Sequence, residues 1–173
     1  MAGSEYKPIH IRKAEPADAA VILKITKEAF AKYAFDLGKP ELVHALNDTE
    51  EKVLQDIKEK NVFVATLAGD IVGTIRYHNV ANTAFISRFG VCLKAQSCGV
   101  GGALIKKVIQ EARDAGYSAV TLHTSAKMSS LIRFYYGQGF YIRTTDTGRG
   151  YVRALLVREL DPGTDVDIVA LKP

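Results

Sequence analysis

The sequence predicts one α/β domain: a single mixed, mostly antiparallel sheet flanked by helices. Three observations lead there. Strand-like and helix-like runs follow one another in the order β-α-α-β-β-β-α-β-α-β-β. Two strand pairs are joined by polar, glycine-containing segments, Ala68-Gly69-Asp70 and Thr145 to Gly150, which read as antiparallel hairpins. Between them lies a strand-helix-strand unit, whose two strands are expected to pair in parallel by the right-handed crossover rule.

The elements follow in order. Ile9 to Lys13 alternates apolar and charged residues, as a half-buried strand does. Ala14 to Asp18 is a turn, with Asp18 as the cap of a helix from Ala19 to about Phe35. Ile22, Ile25, Ala29 and Tyr33 share one face of it, and Gly38 and Pro40 end it. Glu41 to Leu46 is ambiguous. A second helix begins after Asp48, whose spacing to Glu51 resembles a capping box. Asn61 to Leu67 and Ile71 to His78 form a hairpin, Asn79 to Thr83 is a loop, and Ala84 to Leu93 is the next strand. Gly90 inside it points to a bulge. Ala103 to Ala115 is an amphipathic helix with Leu104, Val108 and Ala112 in one stripe, and Gly116 stands at its C-terminal cap position. Ser118 to Thr124 is a strand and Met128 to Tyr136 a short helix ended by Gly137 and Gly139. The last strands are Phe140 to Thr144 and Tyr151 to Arg158. This divides the 173 residues into an N-terminal extension (1–8), one domain (9–160) and a tail with little structure (161–173).

Composition narrows the function classes. The chain is 47% hydrophobic and 24% charged, ordinary for a soluble domain. No apolar run approaches the roughly 20 residues of a membrane span, and Met1 to Pro8 lacks the apolar core of a signal peptide. A cytoplasmic protein with no membrane contact is expected. The net charge of +4 suits an anionic ligand. The basic residues are scattered, so nucleic acid is not expected as a partner. Cys92 and Cys98 match no zinc spacing and read as reduced packing residues, and no metal is expected.

The stretch with most chemical content is Gln96-Ser97-Cys98-Gly99-Val100-Gly101-Gly102, between a strand and a helix. Free N–H groups and the positive end of a helix dipole meet at such a turn, which suits a phosphate. The Walker phosphate loop needs Lys and Ser/Thr after its last Gly, and Gly102-Ala103 do not supply them. The dinucleotide fingerprint needs a third Gly where Leu104 stands. What remains is Gln-x-x-Gly-x-Gly. A second motif lies downstream, Leu131-Ile132-Arg133-Phe134-Tyr135-Tyr136-Gly137-Gln138-Gly139-Phe140, in which a helical Tyr is followed four residues later by Gly-Phe.

Together these two motifs resemble the GNAT family of acetyl-CoA-dependent N-acetyltransferases, over roughly residues 9 to 159. The resemblance implies the GNAT acyl-CoA transferase fold and acetyl-CoA as co-substrate. It implies an acetyl acceptor that is a small-molecule amine or a protein or peptide amine, with a homodimer through the C-terminal strands as one assembly the family uses. Gln96, Ser97, Cys98, Gly99, Val100, Gly101 and Gly102 would hold the pyrophosphate. The edge of Phe89, Gly90 and Val91 would pair with the pantetheine amides, the Val91 N–H serving the oxyanion. Tyr135 would be the general acid for the thiolate, with Tyr136 as its neighbour and rival. His123 stands by count where some members place a basic Glu, with Glu50, Glu51 and water as rivals. The acceptor pocket is expected from Phe30, Tyr33, Phe35, Arg76 to His78 and Thr145 to Gly150. The sequence departs from the family at Leu93 (often Pro), at Ser97-Cys98 (often with Arg) and at Met128 (often Asn). A non-catalytic acyl-CoA sensor on the same fold is the alternative.

Overall fold

The computed structural model describes residues 8–172. Seven strands form one sheet: β1 (Ile9–Lys13), β2 (Asn61–Leu67), β3 (Asp70–Val80), β4 (Thr83–Val91), β5 (Ala119–Ser125), β6 (Tyr141–Asp146) and β7 (Arg153–Glu159). Their spatial order is β1-β2-β3-β4-β5-β7-β6. Every pairing is antiparallel except β4 with β5, which is parallel as expected.

Helices cover both faces. α3 (Val100–Asp114) packs Leu104, Ile105, Val108, Ile109 and Ala112 onto one face, with α4 (Ser129–Gly137) beside it. α1 (Ala19–Leu37) and α2 (Glu50–Glu59) lie on the other, over Val62 and Val64. Beyond them, on the same face, the C-terminal segment buries Val166 and Leu171 against Ala119, Leu155 and Val157. The tail therefore has little secondary structure but contributes to the core.

Several ends differ from expectation for identifiable reasons. Asp18 precedes α1 but does not cap it with its side chain; its carboxylate takes Arg12 in a two-point pair and the Glu15 N–H. Thr49, not Asp48, caps α2, accepting the Lys52 N–H through Oγ1. The expected loop at Asn79 to Thr83 is a tight turn through Ala81 and Asn82, both at positive φ. The bulge in β4 falls at Arg88-Phe89, opposite Ile75, where Arg88 has φ +48°. Gly90 is not the bulge residue. It allows α1 to approach: an added Cβ would lie 2.9 Å from the Ala29 Cβ.

Asp48 is used elsewhere, in a network invisible in the linear pattern. Its carboxylate receives Nε and Nη2 of Arg88 at 2.8 and 3.0 Å. Arg76 of β3, fully buried, donates to Asp56 of α2 at 2.7 Å and lies 3.4 Å from Asp48. Lys52 and Lys60 complete the shell of Asp56. Burial pushes the Asp56 carboxyl up, but hydrogen bonds from Lys52 and Arg76 and the nearby cationic charges outweigh it and hold its pKa below the usual value. A depressed carboxyl pKa contributes stability above the unfolded value, about 3.9 for Asp, and loses it as pH falls through the folded value.

Removing one member of such a network leaves its partner's charge buried. Arg76→Ala should therefore destabilise the fold by about 3–5 kcal/mol in denaturant titration. Asp56→Asn should remove part of the stability loss seen on acidification below about pH 4. A near-neutral Arg76→Ala would show that the network is dispensable.

Candidate active site

The parallel pairing of β4 with β5 is short. It covers Thr83↔Ala119, Ala84↔Val120 and Phe85↔Thr121, and then the strands part. The Thr83 hydroxyl donates to the Val80 carbonyl, so the Thr121 hydroxyl must be the donor of the 3.0 Å contact between them. That pair closes the base of a V. Above it a cleft of about 820 Å³ passes between the strands, from the α3/α4 face of the sheet to the α1 face.

The glycine-rich run forms the α3 end of this cleft. α3 begins at Val100, earlier than expected, because Gly99 in the left-handed region (φ +82°) turns the chain directly into the helix. Gly101 and Gly102 are thus in its first turn. The N–H groups of Ser97, Gly99, Val100, Gly101 and Gly102 find no acceptor among the described residues. They form a cradle at the positive end of a 15-residue helix. The glycines also permit close packing: an added Cβ on Gly101 would lie 3.3 Å from the rings of Phe89 and Phe134, and one on Gly102 would lie 3.4 Å from the Gln138 amide.

The strand edge is oriented for pairing. The Cys92 N–H donates to the Val72 carbonyl on β3. Successive backbone groups alternate in direction along a strand, so the Val91 N–H and carbonyl point away from β3, into the cleft. The Gln96 amide lies 3.4 Å from that carbonyl. Of the expected donor-site residues, Phe89, Gly90, Val91, Gln96, Ser97, Gly99, Gly101 and Gly102 line the cleft. The Val100 side chain is in the core, and Cys98 is exposed outside the cleft rather than packed. Leu93, where the family often has Pro, donates its N–H to Glu28 of α1 at 3.0 Å, a bond Pro could not make.

Tyr135 lies at the centre. Its ring packs against Phe134, Phe140 and Phe89 at 5.2, 5.8 and 6.4 Å. Burial, and then the nearby Tyr33, pushes its phenol far above the ordinary value, so it is protonated at any working pH. Tyr136 is half exposed, lies outside the cleft and accepts the Ile142 N–H.

His123 is differently placed from what a base requires. Its Nε2 is 2.7 Å from the Leu171 carbonyl. A carbonyl cannot donate, so Nε2 carries the hydrogen and Nδ1 the lone pair. Nδ1 is sealed from solvent and has no partner. Burial lowers the ring's pKa, leaving it neutral near pH 7. Glu50 and Glu51 do not line the cleft.

The α1 end corrects the expected acceptor pocket. Phe30 and Tyr33 line it, whereas Phe35 is almost fully exposed, Arg76 is locked in the ion network and Tyr77 packs in the core with Phe63. The Tyr33 hydroxyl accepts the Ser125 N–H, tying α1 to the end of β5, and its pKa is pushed up to about 12, first by burial and then by Tyr151. From the 145–150 segment, Arg149 lines the cleft; Thr147 and Gly150 line an adjoining cavity of about 490 Å³. His44, Arg88, Phe134, Gln138, Tyr151 and Arg153 also line the cleft without having been singled out in the sequence. Phe134 and Gln138 lie within the second motif, Arg88 stands two positions before Gly90, and the others had no local cue.

The sequence model of the acetyltransferase (GNAT) family matches residues 28–140. N-acetyltransferase 8 of Mus musculus is 30% identical over 105 residues, 57% of this chain and 44% of that protein, so the match spans less than half of that relative. The PaiA N-acetyltransferase of Thermoplasma acidophilum, solved with coenzyme A, superposes with a TM-score of 0.78 at 19% identity, over 88% of this chain and 99% of that one. YncA of Salmonella typhimurium, a putative acetyltransferase solved with acetyl-CoA, gives 0.72 at 20% identity, over 92% and 98%. At these identities the two structures establish the shared fold.

A larger residue at Gly101 should force the Phe89 and Phe134 rings into the cleft. Gly101→Val is expected to weaken coenzyme A binding about tenfold, the equivalent of about 1.4 kcal/mol, by titration calorimetry. Moving those rings should cost the fold about 1–3 kcal/mol, so binding is compared under conditions where the variant is fully folded. Unchanged affinity would place the pantetheine arm elsewhere.

Proposed function

Because the chain belongs to the acetyltransferase (GNAT) family, we propose that it transfers the acetyl group of acetyl-CoA to a primary amine by direct attack. The observation that carries the reading is the meeting of three features in one cleft. They are the unpaired N–H cradle, the open β4 edge and the protonated Tyr135.

The cradle suits the pyrophosphate, and the β4 edge suits the pantetheine amides. The amine lone pair attacks the thioester carbonyl, and the Val91 N–H stabilises the resulting oxyanion. Collapse breaks the C–S bond and the sulfur takes the Tyr135 proton. An ordinary phenol titrates near 10 and a thiol near 8.5, so the transfer is uphill in water. Burial raises both the phenol and the thiol leaving into that cleft, so the transfer stays uphill, and the water that takes the amine proton returns one to the Tyr135 oxygen to complete the cycle.

The amine proton is assigned to water in the open cleft rather than to His123. Neither His123 nitrogen faces the cleft with a free lone pair. His123 instead anchors the C-terminal segment through the Leu171 carbonyl.

Tyr135→Phe should lower kcat roughly a hundredfold or more, the low side of general-acid contributions, with the acetyl-CoA dissociation constant within about twofold. Equal turnover would remove Tyr135 from the mechanism. Tight acetyl-CoA binding with no turnover of any amine would favour a non-catalytic acyl-CoA sensor.

The pH dependence separates the base assignments. With water as acceptor, kcat/KM should rise with pH until the acceptor amine itself is neutral, and the limb should move when amines of different basicity are compared. His123→Ala should leave that limb in place. An acidic limb below about pH 6.5 that vanishes in the variant would return the role to His123.

A further inference from the structure

The α1 end of the cleft and the adjoining cavity share Asp36, Met128 and Tyr151, and together they form one mouth. Its lining carries Lys32, Lys39, Arg88, Lys127, Arg149 and Arg153 against a single lining carboxylate, Asp36. Most of these cations are already engaged. Asp36 pairs with Lys32 at 2.6 Å, and Lys39 donates to the Gly150 carbonyl at 2.7 Å. Asp48 holds Arg88 in a two-point pair, and Asp146 holds Arg153 through Nε and Nη2. Lys127 is exposed at the rim. Arg149 is different: it is half-buried, lines the cleft, and has no carboxylate or carbonyl partner among the described residues. A guanidinium presents a planar fork of donors, and a planar carboxylate accepts two parallel N–H bonds from one.

We infer that the acceptor is a small molecule bearing a carboxylate near its amine, with Arg149 as the residue that binds the carboxylate. The inference rests on the N-acetyltransferase reading and narrows its substrate class. Arg149 and Arg153 line the same cleft as His123, and Asp146, which holds Arg153, does not line it. A mouth of this sign attracts a zwitterionic or anionic amine. It repels an acceptor carrying several positive charges, since like charges brought together without compensation raise the energy of the complex.

The test uses the full chain with acetyl-CoA and a panel of L-amino acids. Each is paired with its carboxamide and with the amine lacking the carboxyl carbon. The two comparators bracket the acid's amine in basicity, so a preference over both is not a basicity effect. The acids should show kcat/KM at least about tenfold above both comparators, the lower bound for a charge-assisted hydrogen bond. Arg149→Ala should erase the preference by raising KM for the acids, with the KM for acetyl-CoA unchanged, and Arg149→Lys should restore part of it. Comparators turned over as well as the acids, or an unaltered preference in Arg149→Ala, would overturn the inference. Binding is measured separately, by calorimetry of N-acetyl-amino acids and their amides on the protein saturated with coenzyme A. Arg149-dependent binding of the acids without turnover would support the carboxylate site while refuting the transferase reading. Turnover of amines with no Arg149-dependent binding would do the reverse.

Discussion

The site depends on one constraint: β4 and β5 pair over three residues and then diverge. A parallel pair normally continues for the length of its strands, because each unpaired backbone group inside a protein needs a partner. Here the threonine pair Thr83–Thr121 fixes the lower end, and above Phe85 the edges separate. The separation leaves backbone donors and acceptors of β4 facing a cleft, which is what an extended amide-containing ligand can use. It also places the first turn of α3, the rings of α4 and the mouth beside α1 along one continuous path through the sheet.

Divergence needs support, because a bulged strand with a non-glycine residue at positive φ is strained by about 1–3 kcal/mol. Arg88 is that residue, and its guanidinium grips Asp48 through two bonds. Asp48 adjoins Arg76, and Arg76 binds Asp56 on α2. The bulge, the segment after α1 and the helix α2 are thus joined by charges that would be costly if unpaired. On the other side of the cleft, Tyr33 holds α1 to the end of β5, and Leu171 brings the C-terminal segment onto His123. The walls are set by long-range polar contacts, while the apolar packing of α3 holds the sheet behind them.

Much of this was legible locally. The bounds of β2, the hairpins, the α3 stripe and the glycine-rich turn with its free N–H groups all follow from patterns within a few residues of one another. The spacing of Tyr135 to Gly139-Phe140 separated Tyr135 from Tyr136, and only Tyr135 lines the cleft. What was misread involved partners far apart in the chain. Asp48 has the spacing of a helix cap but is taken by Arg88, 40 positions away. His123 has a suitable type and position for a base, but Leu171, 48 positions away, occupies its nitrogen. Arg76 is expected in the acceptor pocket, but Asp56 on α2, 20 positions away, takes its guanidinium instead.

The sequence by itself determined the family, the order of elements and the glycine-rich turn with its free N–H groups, because backbone N–H geometry at such a helix start is set by neighbouring residues. Tertiary structure alone decided which side chains face the cleft, which are neutralised and which keep an unanswered charge. Those outcomes depend on the register between distant strands and on which carboxylate reaches which guanidinium. Burial and partner choice are properties of the folded assembly, and no spacing along the chain encodes them directly.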